Sequence, residues 1–339
     1  MKRATLPAVL RAFGFSAALT VAVAALVLGA WGTAAAATTL VLVAIEVVFS
    51  FDNAIVNAKV LGTLSSFWQK MFLSVGMIVA VLGMRVVFPI GIVAVTSKLP
   101  WRHVLDLALH HPVAYSAMLS AAHTSIAAFG GTFLLMLALD FFLDDEREVL
   151  WLVRVERFAQ RISRAWLPSV LAAVVLCIAA VIPANHAPAK TLAAGLVGLA
   201  TYLAVQLVTK IFGATQNSAS RVTRTGLAAF TTFVYLEVLD ASFSFDGVLG
   251  AFAVTGKVLL IAAGLGVGAF WVRSLTVFMV RRRTLETYRY LEHGAHYTIL
   301  ILAFLLLAGL ILEIPDAIAG VAGIATIATA AVASRRRIG

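Results

Sequence analysis

Apolar residues run along the chain in windows of about 17–25, the length a helix needs to cross the hydrocarbon of a bilayer. Short polar gaps separate them. Ten such windows fall near residues 12–30, 38–61, 71–96, 116–143, 165–182, 191–212, 226–254, 258–280, 295–312 and 317–333. The pattern predicts an all-α fold, a polytopic transmembrane helix bundle of about ten spans.

Composition agrees. The chain has 339 residues, 62% hydrophobic and only 12% charged, with a mean hydropathy of +1.00. Soluble domains carry about 25% charged residues, so this much apolar surface requires the bilayer as solvent. A net charge of +10 in a soluble protein would point to nucleic acid. Here the basic residues sit in the short gaps between apolar windows, the pattern that orients membrane proteins, and no nucleic-acid partner is expected. With the N-terminus inside, the outer loops hold only Lys98, Arg102, Lys190 and Lys257 of the 26 Lys and Arg residues, Arg85 and Arg273 lie within spans, and all the rest fall on the cytoplasmic side. Both termini are then cytoplasmic. Trp31, Trp68, Trp101 and Trp166 lie near span ends, as an aromatic belt requires. The single cysteine, Cys177, excludes an internal disulfide and a thiolate metal cage and reads as a small packed side chain. Lys2, Arg3, the first apolar run and Gly32-Thr-Ala-Ala-Ala-Ala also fit a cleavable signal peptide.

Between the fourth and fifth windows, Asp144–Ser163 opens acidic and then places Arg154, Arg157, Arg161 and Arg164 on one helical stripe. Leu150, Val155, Phe158 and Ile162 supply apolar contacts. One reading is an interfacial helix on an anionic inner leaflet; the other is a solvated connector whose arginines only fix topology.

The candidate chemistry is a repeat. Phe-Ser-Phe-Asp occurs at Phe49–Asp52 and at Phe243–Asp246, and six residues before each aspartate stands another acid, Glu46 and Asp240. A carboxylate at the centre of a spanning helix costs about 2.5–3.5 kcal/mol on insertion scales. The copies fall in spans two and seven, which run in opposite directions, so the second half reads as an inverted copy of the first. Transporters built this way place their sites near the midplane where repeats meet. The chain divides into an N-terminal span (1–37), a first repeat (38–143), the cytoplasmic helix (144–164), linking spans (165–225), a second repeat (226–312) and a C-terminal span with a basic tail (313–339).

Spans three and eight each bury one basic residue, Arg85 and Arg273, about one hairpin after the motif aspartate. An intramembrane arginine usually pairs with a carboxylate, so both are expected to face the acids. Glu46, Asp52, Glu237, Asp240 and Asp246 outnumber them. Repulsion among these desolvated carboxylates favours the uptake of protons or of a divalent cation. On a straight helix, residues six apart point about 120° apart and lie about 9 Å apart along the axis, so Glu46 and Asp52 need a loosened helix to share an ion. Ser50 and Asn53, and Ser244 and Gly247, can loosen it. The ligand set is all oxygen: carboxylates, the Asn53 amide and the Ser50 and Ser244 hydroxyls. It suits Mn²⁺, Mg²⁺ or Ca²⁺ rather than Zn²⁺ or Cu⁺. The structural alternative is a polar clamp, in which Arg85 and Arg273 only tie helices together.

Glu46-Val-Val-Phe-Ser-Phe-Asp-Asn-Ala-Ile-Val and Asp240-Ala-Ser-Phe-Ser-Phe-Asp246 resemble the paired signature of the TerC-like integral membrane proteins, the tellurium-resistance family. His123-Thr-Ser-Ile-Ala-Ala-Phe-Gly-Gly-Thr-Phe-Leu-Leu-Met and Glu292-His-Gly-Ala-His-Tyr are similar to a branch of membrane proteins of unknown function. The resemblance spans about Thr38 to Leu312. It implies a multi-pass protein of the bacterial inner membrane, in the lysine-exporter-like transporter group, with Mn²⁺ efflux as the expected activity and Glu46, Asp52, Asn53, Asp240 and Asp246 as metal ligands. The chain departs from the family at Gly247, where relatives often carry serine, which removes one oxygen from the second half-site.

No permanent cofactor and no enzymatic activity are expected; proton exchange and a homo-oligomer are compatible with the reading. An intramembrane aspartyl protease would need a Gly-x-Gly-Asp context that neither motif has. A rival of another class is a membrane scaffold in a metal- or tellurite-stress complex. Glu292, His293 and His296 offer either a peripheral metal-entry or proton-relay site or polar residues at a helix start. His123 reads as an inter-helix hydrogen-bonder and Asp140 as an interface residue, while Gly264, Gly266 and Gly268 permit close helix packing.

Overall fold

The computed structural model describes residues 6–213, 226–255, 257–312 and 314–336. Helices dominate, and no β-strand occurs among the described residues. The chain begins with α1 (Leu6–Phe49), α2 (Phe51–Leu61), α3 (Ser66–Ile78), a π-helical segment (Val79–Val87) and α4 (Phe88–Ser97). Two short helices follow, α5 (Trp101–His110) and α6 (Pro112–Ala121), then α7 (His123–Phe142), α8 (Val153–Ile162), α9 (Leu167–Val181) and α10 (Pro188–Gly213). The last third holds α11 (Gly226–Val254), α12 (Val258–Arg282), the single turn α13 (Thr284–Thr287), α14 (Leu291–Ala308) and α15 (Asp316–Arg336).

Every predicted window falls on helix, but the count differs from ten. Among the described residues seven helices are long and apolar enough to cross a membrane, or eight if the bent pair α8–α9 counts as one span. The fourth window is shortened but still gives a span: α6 ends at Ala121 and the long helix starts at His123. Three windows account for the difference. The fifth becomes α9, only 15 residues long and counted only together with α8. The seventh falls on α11, which is not among the seven. The first window and the start of the second merge into α1, interrupted at Gly32 (φ 84°, ψ −177°). This left-handed, extended geometry is open to glycine and strained for other residues.

α1 is nevertheless two legs. Ser16 hydrogen-bonds Ser274 (2.9 Å), Trp271 donates to Thr20 (2.9 Å), and Val27 shares a core with Leu260. The first leg therefore descends α12. After Gly32, Ala35 joins the Leu260 core, Leu42 lies against Gly264 and Glu46 against Gly268. The second leg ascends the same helix. Val9–Phe49 spans 41 residues, about 60 Å of helix at 1.5 Å per residue and about twice a bilayer's hydrocarbon, so a reversal at Gly32 turns one long helix into two crossings.

The helices sort into two compact units that do not follow the chain halves. The first holds α1–α6, α12 and α11 from Leu236 onward, so spans two, three, seven and eight lie together. The second holds α7–α10, the start of α11 up to Tyr235, and α13–α15. Its centre is α7, buried almost continuously from Ile126 to Ala138 and packed by α10 and α14. Asp140, read from sequence as an interface residue, ties α7 to α10: its carboxylate accepts from Tyr202 (2.9 Å) and Gln206 (2.6 Å). Cys177 is not packed as expected. It is exposed on α9, where Val170, Val174, Ile178 and Val181 are exposed too, so this helix turns an apolar stripe outward.

Candidate functional site

The first acidic motif sits on a break. α1 ends at Phe49 and α2 begins at Phe51, with Ser50 between them outside helical geometry (φ −101°, ψ 16°). The ladder still carries across, from Ser50 N–H to Glu46 C=O (3.0 Å) and from Ala54 N–H to Ser50 C=O (3.1 Å). The loosening expected at Ser50 is thus a local departure from helical geometry that keeps these two hydrogen bonds. The Ser50 hydroxyl donates to Glu46 Oε1 (3.0 Å).

Both intramembrane arginines face the acids. Arg85 forms an ion pair with Glu46, and its other terminal nitrogen donates to the Ala80 carbonyl. It stands in the π-helical segment, a geometry that recurs at functional positions. Arg273 reaches Glu237 Oε1 and Oε2 (3.2 and 3.1 Å), Asp240 Oδ2 (3.0 Å) and the Phe72 carbonyl (2.6 Å). Its guanidinium lies 4.0 Å from the centre of the Phe72 ring. Glu46, Asp52, Asn53, Arg85, Glu237, Asp240 and Arg273 are all buried.

The two motifs touch directly and by exchange. Asn53 Nδ2 donates to Asp240 Oδ1 (2.7 Å). A Cβ placed on Gly247 would lie 3.1 Å from Glu46 Oε2. Position 46 therefore meets 247 while 53 meets 240, so the two segments run antiparallel. Glu46 and Asp240 hold the same place in their motifs, as do Asn53 and Gly247. Each motif's leading acid meets the residue that follows the other motif's aspartate, and each is paired with the arginine of its own half. This is the contact pattern of a local two-fold relation, as an inverted repeat requires. It also gives Gly247 a physical reason: a serine there would crowd the Glu46 carboxylate.

Among the described residues, two arginines answer three of the buried acids. Arg85 answers Glu46, and one Arg273 serves both Glu237 and Asp240. Among the described residues, buried Asp52 has an Oδ2 that accepts no hydrogen bond, and Asn53 Oδ1 and Asn57 Oδ1 on the same helix accept none either. Asn57 was not singled out from sequence, although an amide one turn after Asn53, on the same face, was the available signal. Gly76, also missed, packs against Arg273 and Glu237 without room for a Cβ. The side chains of Ser244 and Asp246 lie outside the described residues. Among the described residues, no group of three or more His, Cys, Asp or Glu side chains is placed to hold one metal ion. The described site is a set of buried oxygens on α2 beside two arginine-bound carboxylate clusters.

Glu292, His293 and His296 belong to the second unit and to another network. His293 Nε2 lies 2.8 Å from the Val149 carbonyl and 3.3 Å from Glu156 Oε2. His296 stacks on Phe141 (3.6 Å, 8°), with Nδ1 2.8 Å from the Glu292 carbonyl of its own helix. The focus of this network is Glu156, buried on α8. It accepts from the backbone N–H of Leu152 (3.0 Å) and Trp151 (3.3 Å) and from the Tyr297 hydroxyl (3.1 Å), and it pairs with Arg147 (3.3 Å). Burial pushes the Glu156 carboxyl upward, but the hydrogen bonds from His293 and Leu152 and the charges of His293 and Arg147 outweigh it, so it rests below the ordinary 4.5.

No curated protein and no solved structure matches the chain. The family model described as "Protein of unknown function (DUF475)" matches residues 51–338, from α2 with Asp52 through the Arg273 helix to the end of α15. That match takes in most of the sequence, and the chain belongs to the DUF475 family.

Proposed function

We propose that the protein is a divalent-cation transporter of the bacterial inner membrane, with Mn²⁺ as the exported ion and protons as the counter-species. The observation that carries this reading is the buried, antiparallel meeting of the two motifs, where, among the described residues, Asp52 Oδ2 and the amide oxygens of Asn53 and Asn57 accept no hydrogen bond. Hard oxygen donors and net negative charge favour a hard dication. The likeness of the motifs to those of TerC-like proteins supports the same substrate class. In this reading Asp52, Asn53, Asn57 and Asp246 bind the ion. Glu46 and Asp240 shape the site through Arg85 and Arg273. Release of an arginine–carboxylate pair accompanies a change of access.

The test is Mn²⁺ flux into proteoliposomes by wild type, Asp52→Ala, Asp246→Ala and Asn57→Leu. Loss in both aspartate variants and a raised half-saturating Mn²⁺ concentration in Asn57→Leu are expected. Equal flux in all four rejects the proposal.

One observation favours a second reading. Glu46, Glu237 and Asp240 are already salt-bridged, as a membrane scaffold for a metal- or tellurite-stress complex would have them. That reading expects no flux in wild type and proteins that co-purify with it.

A further inference from the structure

α8 presents three separate faces. One is clamped to the second unit: Glu156 holds Tyr297, His293 and Arg147, and Gln160 donates to the Asp144 (3.0 Å) and Arg147 (2.9 Å) carbonyls. Ser163, just past the helix, donates to the Leu143 carbonyl. The second face is cationic and exposed, with Arg154, Arg157 and Arg161, and Arg164 continues it beyond the helix end. The third is apolar and equally exposed: Val155 60%, Phe158 63% and Ile162 45% of their free surface. At 100° per residue, the apolar stripe lies about 100° around the helix from the arginines and about 130° from Glu156. Exposed Leu152 and Trp166 bracket the ends.

Orientation supplies the partner. α8 meets α9 at 102°. α9 is apolar apart from Ser169 and turns exposed valines and isoleucine outward, as a helix embedded in lipid does. With α9 along the bilayer normal, a helix perpendicular to it lies in the membrane plane. A solvated connector has no use for an exposed valine–phenylalanine–isoleucine stripe, whereas an in-plane helix sinks such a stripe to the acyl boundary and leaves its arginines level with the headgroups.

We propose that α8 is an interfacial helix, fixed to the second unit through Glu156 and Gln160, whose arginines bind anionic phospholipid headgroups while Val155, Phe158 and Ile162 enter the acyl region. This inference does not depend on transport. It extends to the membrane surface a chain segment that the acidic site does not use.

The test places a nitroxide at Phe158→Cys in the full chain, with Cys177→Ser removing the native thiol. The protein is reconstituted in vesicles of phosphatidylcholine alone or with one third phosphatidylglycerol. Accessibility of the label to oxygen and to a water-soluble nickel chelate is then read by power saturation. The expected result is oxygen-dominated access in the mixed vesicles. In the Arg154→Gln, Arg157→Gln, Arg161→Gln background that preference should fall by about tenfold or more, since each arginine near an anionic surface contributes appreciably. Nickel-dominated access in both lipids overturns the proposal and makes α8 a connector. A label immobilised and shielded from both reagents also overturns it, by placing protein on that face. Immersion unaffected by phosphatidylglycerol or by the arginine changes overturns the headgroup assignment. Unchanged helix content and melting temperature show that the variants fold, which the exposure of all five positions leads one to expect.

Discussion

Asn53 and Asp240 stand 187 positions apart in sequence and 2.7 Å apart in the fold. Their hydrogen bond carries a charge and is buried, the class that contributes about 1.5–3 kcal/mol. Asn53→Ala should therefore lower stability by about that amount in detergent, measured by chemical denaturation. Asn53→Asp should cost more, because it sets a second carboxylate against Asp240. If both variants melt with the wild type, the contact has no energetic weight.

Glu46 and Arg85 form a buried pair. Removing one partner leaves an uncompensated charge, which costs about 3–5 kcal/mol, whereas replacing both by apolar residues is often neutral. Arg85→Met alone should be strongly destabilising, and Glu46→Leu with Arg85→Met should recover much of the loss. A double-mutant cycle on melting temperature measures the coupling. Single-variant losses that simply add would remove the pair from the description.

Three glycines near the site separate close packing from mere presence. A Cβ on Gly268 would lie 2.5 Å from Glu46 Cβ, and one on Gly76 would strike the Arg273–Glu237 pair, while one on Gly83 would make ordinary contact at 3.5 Å with Val79. Gly268→Ala and Gly76→Ala should each cost about 1–3 kcal/mol through overpacking. Gly83→Ala should be tolerated. Thermal stability of the three variants checks the order.

Glu156 links stability to pH. Arg147, His293, Tyr297 and two backbone N–H groups face it, and its folded pKa lies below the ordinary 4.5. A carboxyl held low stabilises the fold above its unfolded value, and the contribution is lost as pH falls through the folded one. The gap in melting temperature between wild type and Glu156→Gln should be constant from about pH 7 to pH 5 and close at lower pH. A gap that widened on acidification would reverse the assignment.

The helical class, the windows and the pairing of Arg85 and Arg273 with acids could all be read from sequence, because each rests on a large free energy, that of placing apolar or charged groups in hydrocarbon. The reversal at Gly32 is less visible: an Ala-rich stretch with one glycine favours helix locally, and only packing of both legs on α12 reveals the turn. The break between α6 and α7 at Ala122 carries no glycine or proline, and the apolar run across Ala121–Ala122 masked it. Arg273 divides its charge between Glu237 and Asp240 because they stand three apart on one face, which the spacing foretold. That Arg273 also takes the Phe72 carbonyl needed the fold. His293 and His296 left two readings open in sequence, a metal or relay site or polar residues at a helix start; in the fold each ring turns to a partner supplied by a distant segment, Glu156 and Phe141.

The crossed meeting of 46 with 247 and 53 with 240 bears on how such a chain can be altered. Each half supplies the arginine for its own leading acid but takes that acid's second contact from the opposite half, so a cassette cut at the midpoint and expressed alone would keep the ion pair and lose the contact across the repeat. A change at Asp240 is most directly balanced at Asn53, on the other side of the duplication. Substitutions in the two copies are therefore expected to couple across the repeat as well as along it, and transplanting one motif would demand its counterpart as well.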